Sequence, residues 1–235
     1  MPRPFLTAEW RNLFLATYTV PPALLQPRLP PGLGLDTRDG HAFVSLVAFE
    51  FRDTRVLGVP WPGYRNFPEL NLRFYVRRGA ERGVIFVREI VPRRLVAWIA
   101  RTVYNEPYIV APFSAERRDE ADRLTMTYRL RFAGREHVLE VTGGTPAFRP
   151  AEASDEHFFK EHHWGYGRSR RGVGLRYHVE HPVWDVYPVL GYRIDLDWAA
   201  VYGPEWAFLG KASPVSTVFA VGSAVRVYPK GKVTA

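Results

Sequence analysis

The sequence predicts a mainly β fold, a β-rich α+β arrangement in which antiparallel strands form a large barrel or sandwich with a few peripheral helices. Three observations support this. Short runs of alternating apolar residues follow one another, turn signals rich in glycine and proline separate them, and only one long segment, 92–104, has strong helical periodicity. Strands that succeed one another without intervening helices favour antiparallel pairing over a βαβ arrangement.

The composition indicates a globular protein with a sizeable core. Of 235 residues, 46% are hydrophobic and 24% are charged, and the aromatic residues (Trp 7, Tyr 12, Phe 15) suit strands and can line a pocket. The only plausible domain boundary is the loop 143–150. The absence of cysteine excludes disulfides, thiolate metal sites and a cysteine nucleophile. No apolar leader or membrane-length apolar run occurs, which predicts a soluble cytoplasmic protein that does not enter a membrane.

The net charge of +8 comes mainly from arginine. The arginines are scattered among acidic residues, as in Glu116 to Glu120, which is typical of a solvated surface. A nucleic-acid or interaction module built on this basic surface is therefore kept only as an alternative, and nucleic acid is not the expected partner.

The first half of the chain contains most of the predicted strands. Asp39-Gly40 is a strong two-residue hairpin signal, and Pro22 is tolerated in the first turn of a helix. In 92–104 the residues Leu95, Trp98 and Ile99 share one helical face, which we expect to pack on the sheet. The predicted elements are a capped helical turn at 7–10, a strand at 12–20, a helix at 21–29, a hairpin of 35–38 with 41–51, strands at 66–76 and 84–90, and the helix 92–104.

The second half alternates strands with short helices. Ser154 is suited to cap a helix, and the glycine-rich basic segment 165–174 reads as the tip of a hairpin. The predicted elements are strands at 108–114, 124–132 and 136–142, a helix at 154–162, a hairpin of 164–167 with 175–179, a helix at 193–201, strands at 215–220 and 223–228, and a frayed tail.

The strand 66–76 carries the most informative pattern in the chain. Glu69, Asn71 and Arg73 fall on one face, because side chains two residues apart on a strand point the same way. That face meets either solvent or the interior of a barrel. Phe67 and Tyr75 lie on the same face, and a mixture of aromatic and a few polar groups is typical of a binding cavity.

Other chemical motifs are weak. His157 and Glu161 would share a helix face, but without HExxH spacing they do not predict a metal site. No Gly-x-Ser-x-Gly motif indicates a serine hydrolase. The lysines are Lys160, Lys211, Lys230 and Lys232, and of these Lys211 alone has apolar sequence neighbours, which an amine nucleophile requires.

The order of motifs resembles a known family. The segment 11–18, the PPALL helix, LPPGLGLDTRDGHAFVSLVAF, FPELNLRFYV and RGVIFV are similar to the YqjF-like family DUF2071, within the acetoacetate decarboxylase-like superfamily. The similarity is strong to about residue 110 and looser through HPVWDVYP to the end. It implies one domain over residues 1–235, folded as a large antiparallel β-barrel or cone with an interior cavity and peripheral helices.

The resemblance also bears on the chemistry. Acetoacetate decarboxylases use a Schiff-base lysine, an arginine and two glutamates. Carried over by position, the arginine falls on Arg11, one glutamate position falls near Ser45, and the other is served by Glu69. The lysine position falls at 106–108, where this chain has no lysine, so the resemblance implies the fold without the Schiff-base chemistry.

The sequence therefore predicts a barrel that binds a small carboxylated or carbonyl-bearing ligand. Arg11 and Arg73 are expected to hold its anion, with Glu69, Asn71 and Ser45 completing the pocket. The alternative is a lyase or hydratase that uses Glu69 as acid/base and Tyr108 as a proton donor or oxyanion partner. No cofactor and no metal are predicted, and the sequence leaves a homo-oligomer open.

Overall fold

A computed structural model describes residues 3–169 and 171–233 of the chain. The strands form one 11-stranded sheet and one 4-stranded sheet. The strands are β1 (Leu6–Val20), β2 (Gly34–Leu35), β3 (Ala42–Val56), β4 (Phe67–Arg78), β5 (Glu81–Val91), β6 (Tyr108–Val110), β7 (Phe113–Asp119), β8 (Arg123–Phe132), β9 (Arg135–Gly144), β10 (Trp164–Arg168), β11 (Gly174–Glu180), β12 (Val186–Tyr187), β13 (Val189–Asp195), β14 (Ser216–Val227) and β15 (Gly231–Lys232).

The helices are short and lie between the strands. The α-helices are α1 (Pro22–Leu25), α2 (Arg94–Ile99), α3 (Asp155–Lys160) and α4 (Trp198–Tyr202). Two 3-10 helices, Gln26–Arg28 and Pro204–Lys211, follow α1 and α4, and a π-helical segment, Ala100–Tyr104, continues α2. No helix among the described residues has the length and apolar character needed to cross a bilayer.

The larger sheet curls into a barrel-like shape. Its strand order is β12-β14-β1-β3-β4-β5-β10-β11-β15, and an additional pairing of β14 with β11 brings the sheet back on itself. The long pairings are antiparallel, whereas β5 makes short parallel pairings with β10 and β6. The smaller sheet has the order β13-β9-β8-β7. The predicted mainly β fold is therefore confirmed.

Each face of the larger sheet packs against a different environment. Phe14, Leu46, Leu70 and Leu72 point toward the smaller sheet and form a core with its buried side chains, among them Tyr128. The opposite face contributes to a second apolar cluster that includes Leu13, Val47, Phe49, Phe51 and Phe67. Alternation along β3 and β4 thus buries both faces of these strands.

Several local predictions are wrong, mostly where sheet pairing overrides local preference. The segment 7–10 is part of β1, which pairs with both β14 and β3, and not a helical turn. Residues 193–195 belong to β13, so the predicted helix is confined to α4. The hairpin at Asp39-Gly40 is reduced to one bridge between Arg38 and His41, because β2 pairs with β4 instead. The tail forms β15 on β11.

The predicted helix 92–104 exists, but one of its predicted contacts is wrong. Trp98 is 61% exposed, whereas Ala97 is 1% exposed. Leu95, Val96 and Ile99 face the barrel. Leu95 and Ile99 therefore keep their predicted contacts, while Val96 and Ala97, and not Trp98, complete the packed face.

Glycine is required at position 222, where β14 pairs with β1 at close distance. It has φ +82°, and a Cβ atom there would lie 1.9 Å from the carbonyl oxygen of Trp10. We expect Gly222→Ala to destabilise the protein by about 2 kcal/mol, since it combines a strained backbone with a backbone clash. Urea unfolding tests this against Gly231→Ala, where no atom lies within 4 Å of the added methyl group. Equal stability of the two variants would contradict the expectation.

Candidate functional site

A cavity of about 160 Å³ lies between the inner face of the larger sheet and helix α2. Its walls are mainly aromatic and aliphatic, and its polar groups are few and clustered. The aromatic side chains of the lining are Phe5, Trp10, Phe49, Phe51, Trp61, Tyr64, Phe67, Phe86, Tyr104, Tyr108, Trp164 and Tyr177. The polar or charged side chains are Thr54, Glu69, Asn71, Arg73, Glu89, Glu106 and His162. An apolar pocket with a few converging polar groups is the usual form of a small-molecule site.

Strand β4 places Glu69, Asn71 and Arg73 on the cavity wall. Glu69 and Asn71 are each 2% exposed, and their partners in β3 are Phe49 and Val47, which also line the cavity. The intervening Leu70 and Leu72 point into the core between the sheets. The alternation seen in the sequence therefore has a geometric meaning: the polar face of β4 meets the cavity and not bulk water.

Glu69 is held by two hydrogen bonds. The hydroxyl of Tyr108 donates to Oε2 at 2.7 Å, and the amide of Asn71 donates to Oε1 at 3.0 Å. Burial raises the pKa of Glu69 to about 7, against the lowering effects of these two bonds and of the charge on Arg73. The structure thus brings Glu69, Asn71, Arg73 and Tyr108 together, with a carboxyl that can gain or lose a proton near neutral pH.

Glu89 is a second buried acid of the cavity, which the sequence analysis did not identify. It lies opposite Asn71 on β5 and is 2% exposed. The β4–β5 register shifts between Leu72 and Arg73, so that both Glu89 and Phe86 line the cavity although one is odd-numbered and the other even-numbered. Burial and the neighbouring acids raise the pKa of Glu89 well above its ordinary value, and its Oε2 atom has no hydrogen-bond partner.

Glu106 is the third buried acid, and it follows the end of the α2 segment. It is 7% exposed, and burial raises its pKa to about 8 despite a hydrogen bond with Tyr177 and the charge of Lys230. Gly167 lies beside this carboxyl, where a Cβ atom would make an ordinary contact of 3.7 Å with Oε1. Nothing in the local sequence pattern marks Glu106, which stands between a helix and a proline.

Arg73 and His162 are the basic residues of the cavity lining. The guanidinium of Arg73 donates to the carbonyl of Phe159 at 3.1 Å, and its Nε atom is buried without a partner. Both ring nitrogens of His162 are also buried without a partner. Burial, reinforced by the charges of Arg73 and Arg82, holds the pKa of His162 well below its usual value, so its imidazole is neutral at pH 7.

Two predicted ligand-binding residues lie outside the cavity lining. Arg11 pairs with Glu9 at 3.1 Å on the far side of β1 from the neighbouring Trp10, which does line the cavity. Ser45 is buried at 0% exposure and is hydrogen-bonded to Thr17 and Tyr75. Tyr75 in turn contacts the Phe159 carbonyl that accepts from Arg73. Arg11 therefore has no contact with a ligand in this cavity, and Ser45 is connected to the cavity only through Tyr75 and the Phe159 carbonyl.

No lysine belongs to the described lining of the cavity. Lys160 is 1% exposed and is ion-paired with Glu161. Lys211 and Lys232 are exposed, and Lys230 is half-buried in the loop after β14. The apolar neighbours of Lys211 in the sequence thus do not bury its side chain.

One group of side chains in the described part of the chain could hold a metal ion. Glu161, His163 and His181 each offer a ligand atom, and these atoms lie within 4.8 Å of one another. Ligands of one tetrahedral zinc ion are closer, about 3.5 Å apart for bonds of about 2.1 Å. The ammonium of Lys160 already neutralises Glu161. His157, which the sequence places on the same helix face as Glu161, is not part of this group.

Solved structures with a similar fold are acetoacetate decarboxylase-like enzymes. Acetoacetate decarboxylase from Legionella pneumophila is 16% identical, with a TM-score of 0.63 over 100% of this chain and 88% of its own. An acetoacetate decarboxylase-like enzyme from Sphingomonas wittichii RW1 is 13% identical, with a TM-score of 0.68 over 98% and 93%. The enduracididine biosynthesis enzyme MppR complexed with pyruvate is 12% identical, with a TM-score of 0.66 over 100% and 91%. The chain therefore has an acetoacetate decarboxylase-like fold.

Within this fold class the chain belongs to the family DUF2071. The family model, described as an uncharacterized conserved protein, matches residues 7–224. The uncharacterized protein YqjF of Bacillus subtilis is 34% identical over 113 residues, which are 48% of this chain and 47% of YqjF. The matched region thus spans about half the length of that curated relative. The resemblance found in the sequence is confirmed.

Proposed function

We propose that this protein binds a small organic molecule carrying a carboxylate or carbonyl group in the cavity, and that Glu69 exchanges a proton with it. The observation that carries the proposal is Glu69 itself. It is a buried acid on the wall of an apolar cavity, hydrogen-bonded to Tyr108 and Asn71, with a pKa raised to about 7. Buried acids with such pKa values cluster at functional sites.

The unpartnered polar atoms of the cavity support a carboxylate or carbonyl on the ligand. The Nε of Arg73 and the ring nitrogens of His162 are buried without a hydrogen-bond partner. A buried donor that makes no hydrogen bond costs free energy, and an oxygen acceptor on a bound ligand would recover this cost. A guanidinium is also the side chain best suited to bind a carboxylate through two hydrogen bonds.

A screen of small organic acids tests this proposal. We expect pyruvate, acetoacetate or a related acid to raise the melting temperature and to perturb the NMR signals of cavity residues, and mass spectrometry of the freshly purified protein to detect a co-purifying small acid. The matched variants are Arg73→Ala, which should lose the effect, and Arg11→Ala, which should keep it because Arg11 pairs with Glu9 outside the lining. The proposal fails if neither probe nor extract yields a ligand, or if both variants behave alike.

A second candidate function is acid–base catalysis on the bound molecule, of the lyase or hydratase type. It is favoured by the hydrogen bond from Tyr108 to Glu69 at 2.7 Å. When Glu69 is ionised it can remove a proton next to a carbonyl group. Once Glu69 is protonated, the hydroxyl of Tyr108 is free to turn and donate to the oxygen on which negative charge develops. Proton exchange at the carbon next to the carbonyl of a bound keto acid, followed by NMR in D₂O, separates catalysis from binding. Glu69→Gln should retain binding and lose the exchange.

We expect no lysine of this protein to form a Schiff base with a β-keto acid. The reason is position, because Lys160 is paired with Glu161 and Lys211 and Lys232 are exposed. A Schiff-base lysine must be desolvated or placed beside another cation, and it must also reach the ligand. Lys160 is buried, but it does not belong to the described lining of the cavity. Borohydride reduction in the presence of acetoacetate, followed by peptide mapping, checks this. A stoichiometric adduct on any lysine, including Lys230 near Glu106, would revive a decarboxylase function.

The surface arginines support a small-molecule partner over nucleic acid. Many of them are ion-paired with acids, including Arg117 with Asp119 at 2.7 Å and Arg135 with Asp195 at 2.6 Å. Paired arginines offer less free positive charge to a phosphate backbone.

A further inference from the structure

We propose that the ligand of this cavity also carries an organic cation, an ammonium or guanidinium group, and that Glu89 and Glu106 bind it. This inference rests on the proposed function and narrows its substrate class. The ligand would then be amphoteric, with its acidic or carbonyl end at Arg73 and its cationic end at the two glutamates.

The first observation is the excess of buried acid at one end of the cavity. Glu69, Glu89 and Glu106 are each at most 7% exposed, and each acts electrostatically on at least one of the others. The side chains that donate hydrogen bonds to them, Asn71, Tyr108 and Tyr177, are neutral. The Oε2 atom of Glu89 has no partner at all. A buried carboxylate without a cation is costly, so this end of the cavity favours a positive charge from outside.

The second observation is a pair of aromatic side chains at Glu106, namely Tyr104, two residues before it, and Tyr177, which hydrogen-bonds to it. Tyr104 and Tyr177 lie with ring centroids 5.2 Å apart, and both line the cavity together with Trp164. Tyr177 packs over Gly165, where a Cβ atom would lie 2.2 Å from its ring, so the absent side chain is what makes room for it. Aromatic faces beside a carboxylate are the usual environment for binding an organic ammonium group.

A metal ion is a poorer occupant of the same place. In the described part of the chain, the side chains that converge as metal ligands are Glu161, His163 and His181, and not the three cavity glutamates. The charge of Lys230 lowers the pKa of Glu106 from outside the described lining, so a cation of the protein already acts on that acid, whereas burial and the acids Glu106 and Glu69 raise the pKa of Glu89. An extended organic cation can reach acids that are too dispersed to share one ion.

The separation of Arg73 from the acids favours an elongated ligand. Glu69 and Arg73 are four residues apart on β4, roughly 13 Å along the strand axis at about 3.3 Å per residue. Glu89 lies opposite Asn71, between them along the strand. A molecule with one charge at each end can therefore contact Arg73 and the acids together, whereas a small monofunctional acid satisfies only one end.

Three matched probes test the inference by isothermal titration calorimetry: 4-(aminomethyl)benzoate, 4-methylbenzoate without the amine, and 4-methylbenzylamine without the acid. We expect the first to bind at least tenfold more tightly than the second. The gain should be lost in Glu89→Gln and in Glu106→Gln and kept in Glu140→Gln, a control on the smaller sheet. Binding of the aminated probe at pH 7 should also release protons, measured by comparing heats in phosphate and Tris buffers, because the acids hold protons in the free protein.

The outcomes separate this inference from the proposed function. If 4-methylbenzoate binds in an Arg73-dependent way and the amine adds nothing, the cationic group is wrong and the proposed function stands. If the wild-type protein binds pyruvate or acetoacetate but none of the three probes, this inference alone is contradicted; if it binds neither these acids nor the probes, both are contradicted. The comparison of probes on the wild-type protein does not depend on whether the glutamine variants fold.

Discussion

Replacing Arg73 with alanine is expected to weaken the binding of a small carboxylate such as pyruvate about 10- to 100-fold. Arg73 is the only cationic side chain on the described lining of the cavity, because the imidazole of His162 is neutral at pH 7. The Nε atom of Arg73 has no partner within the protein. A hydrogen bond to a charged group contributes about 1.5 to 3 kcal/mol, which corresponds to this range of affinity. Calorimetric titration of the variant and the wild-type protein measures the loss.

Two matched variants make this result interpretable. Arg11→Ala removes the same side chain outside the cavity lining and should leave affinity unchanged. Arg73→Lys keeps a charge but not the planar fork, and should fall between wild type and alanine. Since Arg73 also donates to the Phe159 carbonyl, the unfolding free energy of each variant is measured in parallel. A folded Arg73→Ala variant with unchanged affinity would remove Arg73 from the site.

The free energy of unfolding is expected to fall as the pH rises from about 5 to 8, because of the buried glutamates. In the unfolded chain these carboxyls lose their protons near pH 4.5, whereas in the folded protein the pKa is raised to about 7 for Glu69 and about 8 for Glu106. Between these values the folded state holds more protons, so stability present below pH 4.5 is lost as the pH passes through the folded pKa values.

The comparison with glutamine variants isolates the effect of each acid. The glutamine of Glu69→Gln has no proton to lose, so the unfolding free energy of this variant should fall less with pH than that of the wild type. The expected difference between the two proteins is about 3 kcal/mol over the range, since each pH unit between the two pKa values contributes about 1.4 kcal/mol. His162, whose pKa is lowered, changes stability in the opposite direction, but it does so equally in both proteins. Urea unfolding at pH 5, 6, 7 and 8 measures the difference, and parallel pH profiles would contradict it.

The part of the site that could be predicted from the sequence follows the regular geometry of one strand. Glu69, Asn71 and Arg73 share a face because β4 keeps a strict period of two, and their apolar counterparts fill the core between the sheets. Of the two aromatic residues on the polar face, Phe67 lines the cavity, whereas Tyr75 packs against Phe159. What the pattern could not specify was which other strands complete the wall.

The acids missed by the sequence analysis lie where the regular period fails. Glu89 joins the cavity through a register shift on β5, and a shift of one residue moves every later side chain to the other face. Glu106 belongs to a connecting segment without periodicity, at the position where the resemblance placed a lysine. Arg11 is followed by Asn12, which has φ 56°, and by a register shift between β1 and β3. Because the regular alternation fails there, aligning Arg11 with a functional arginine could not predict the direction of the Arg11 side chain.

The titration of Glu69 itself tests the account most directly. Wild-type protein labelled with ¹³C at the glutamate carboxyl carbons is followed by NMR from pH 4 to 9, and Glu69→Gln identifies the signal of Glu69 by its disappearance. We predict a midpoint near pH 7 that moves when pyruvate or another cavity ligand is added. A midpoint near the ordinary value of 4.5, unchanged by ligands, would show a water-exposed carboxyl and contradict the buried binding site.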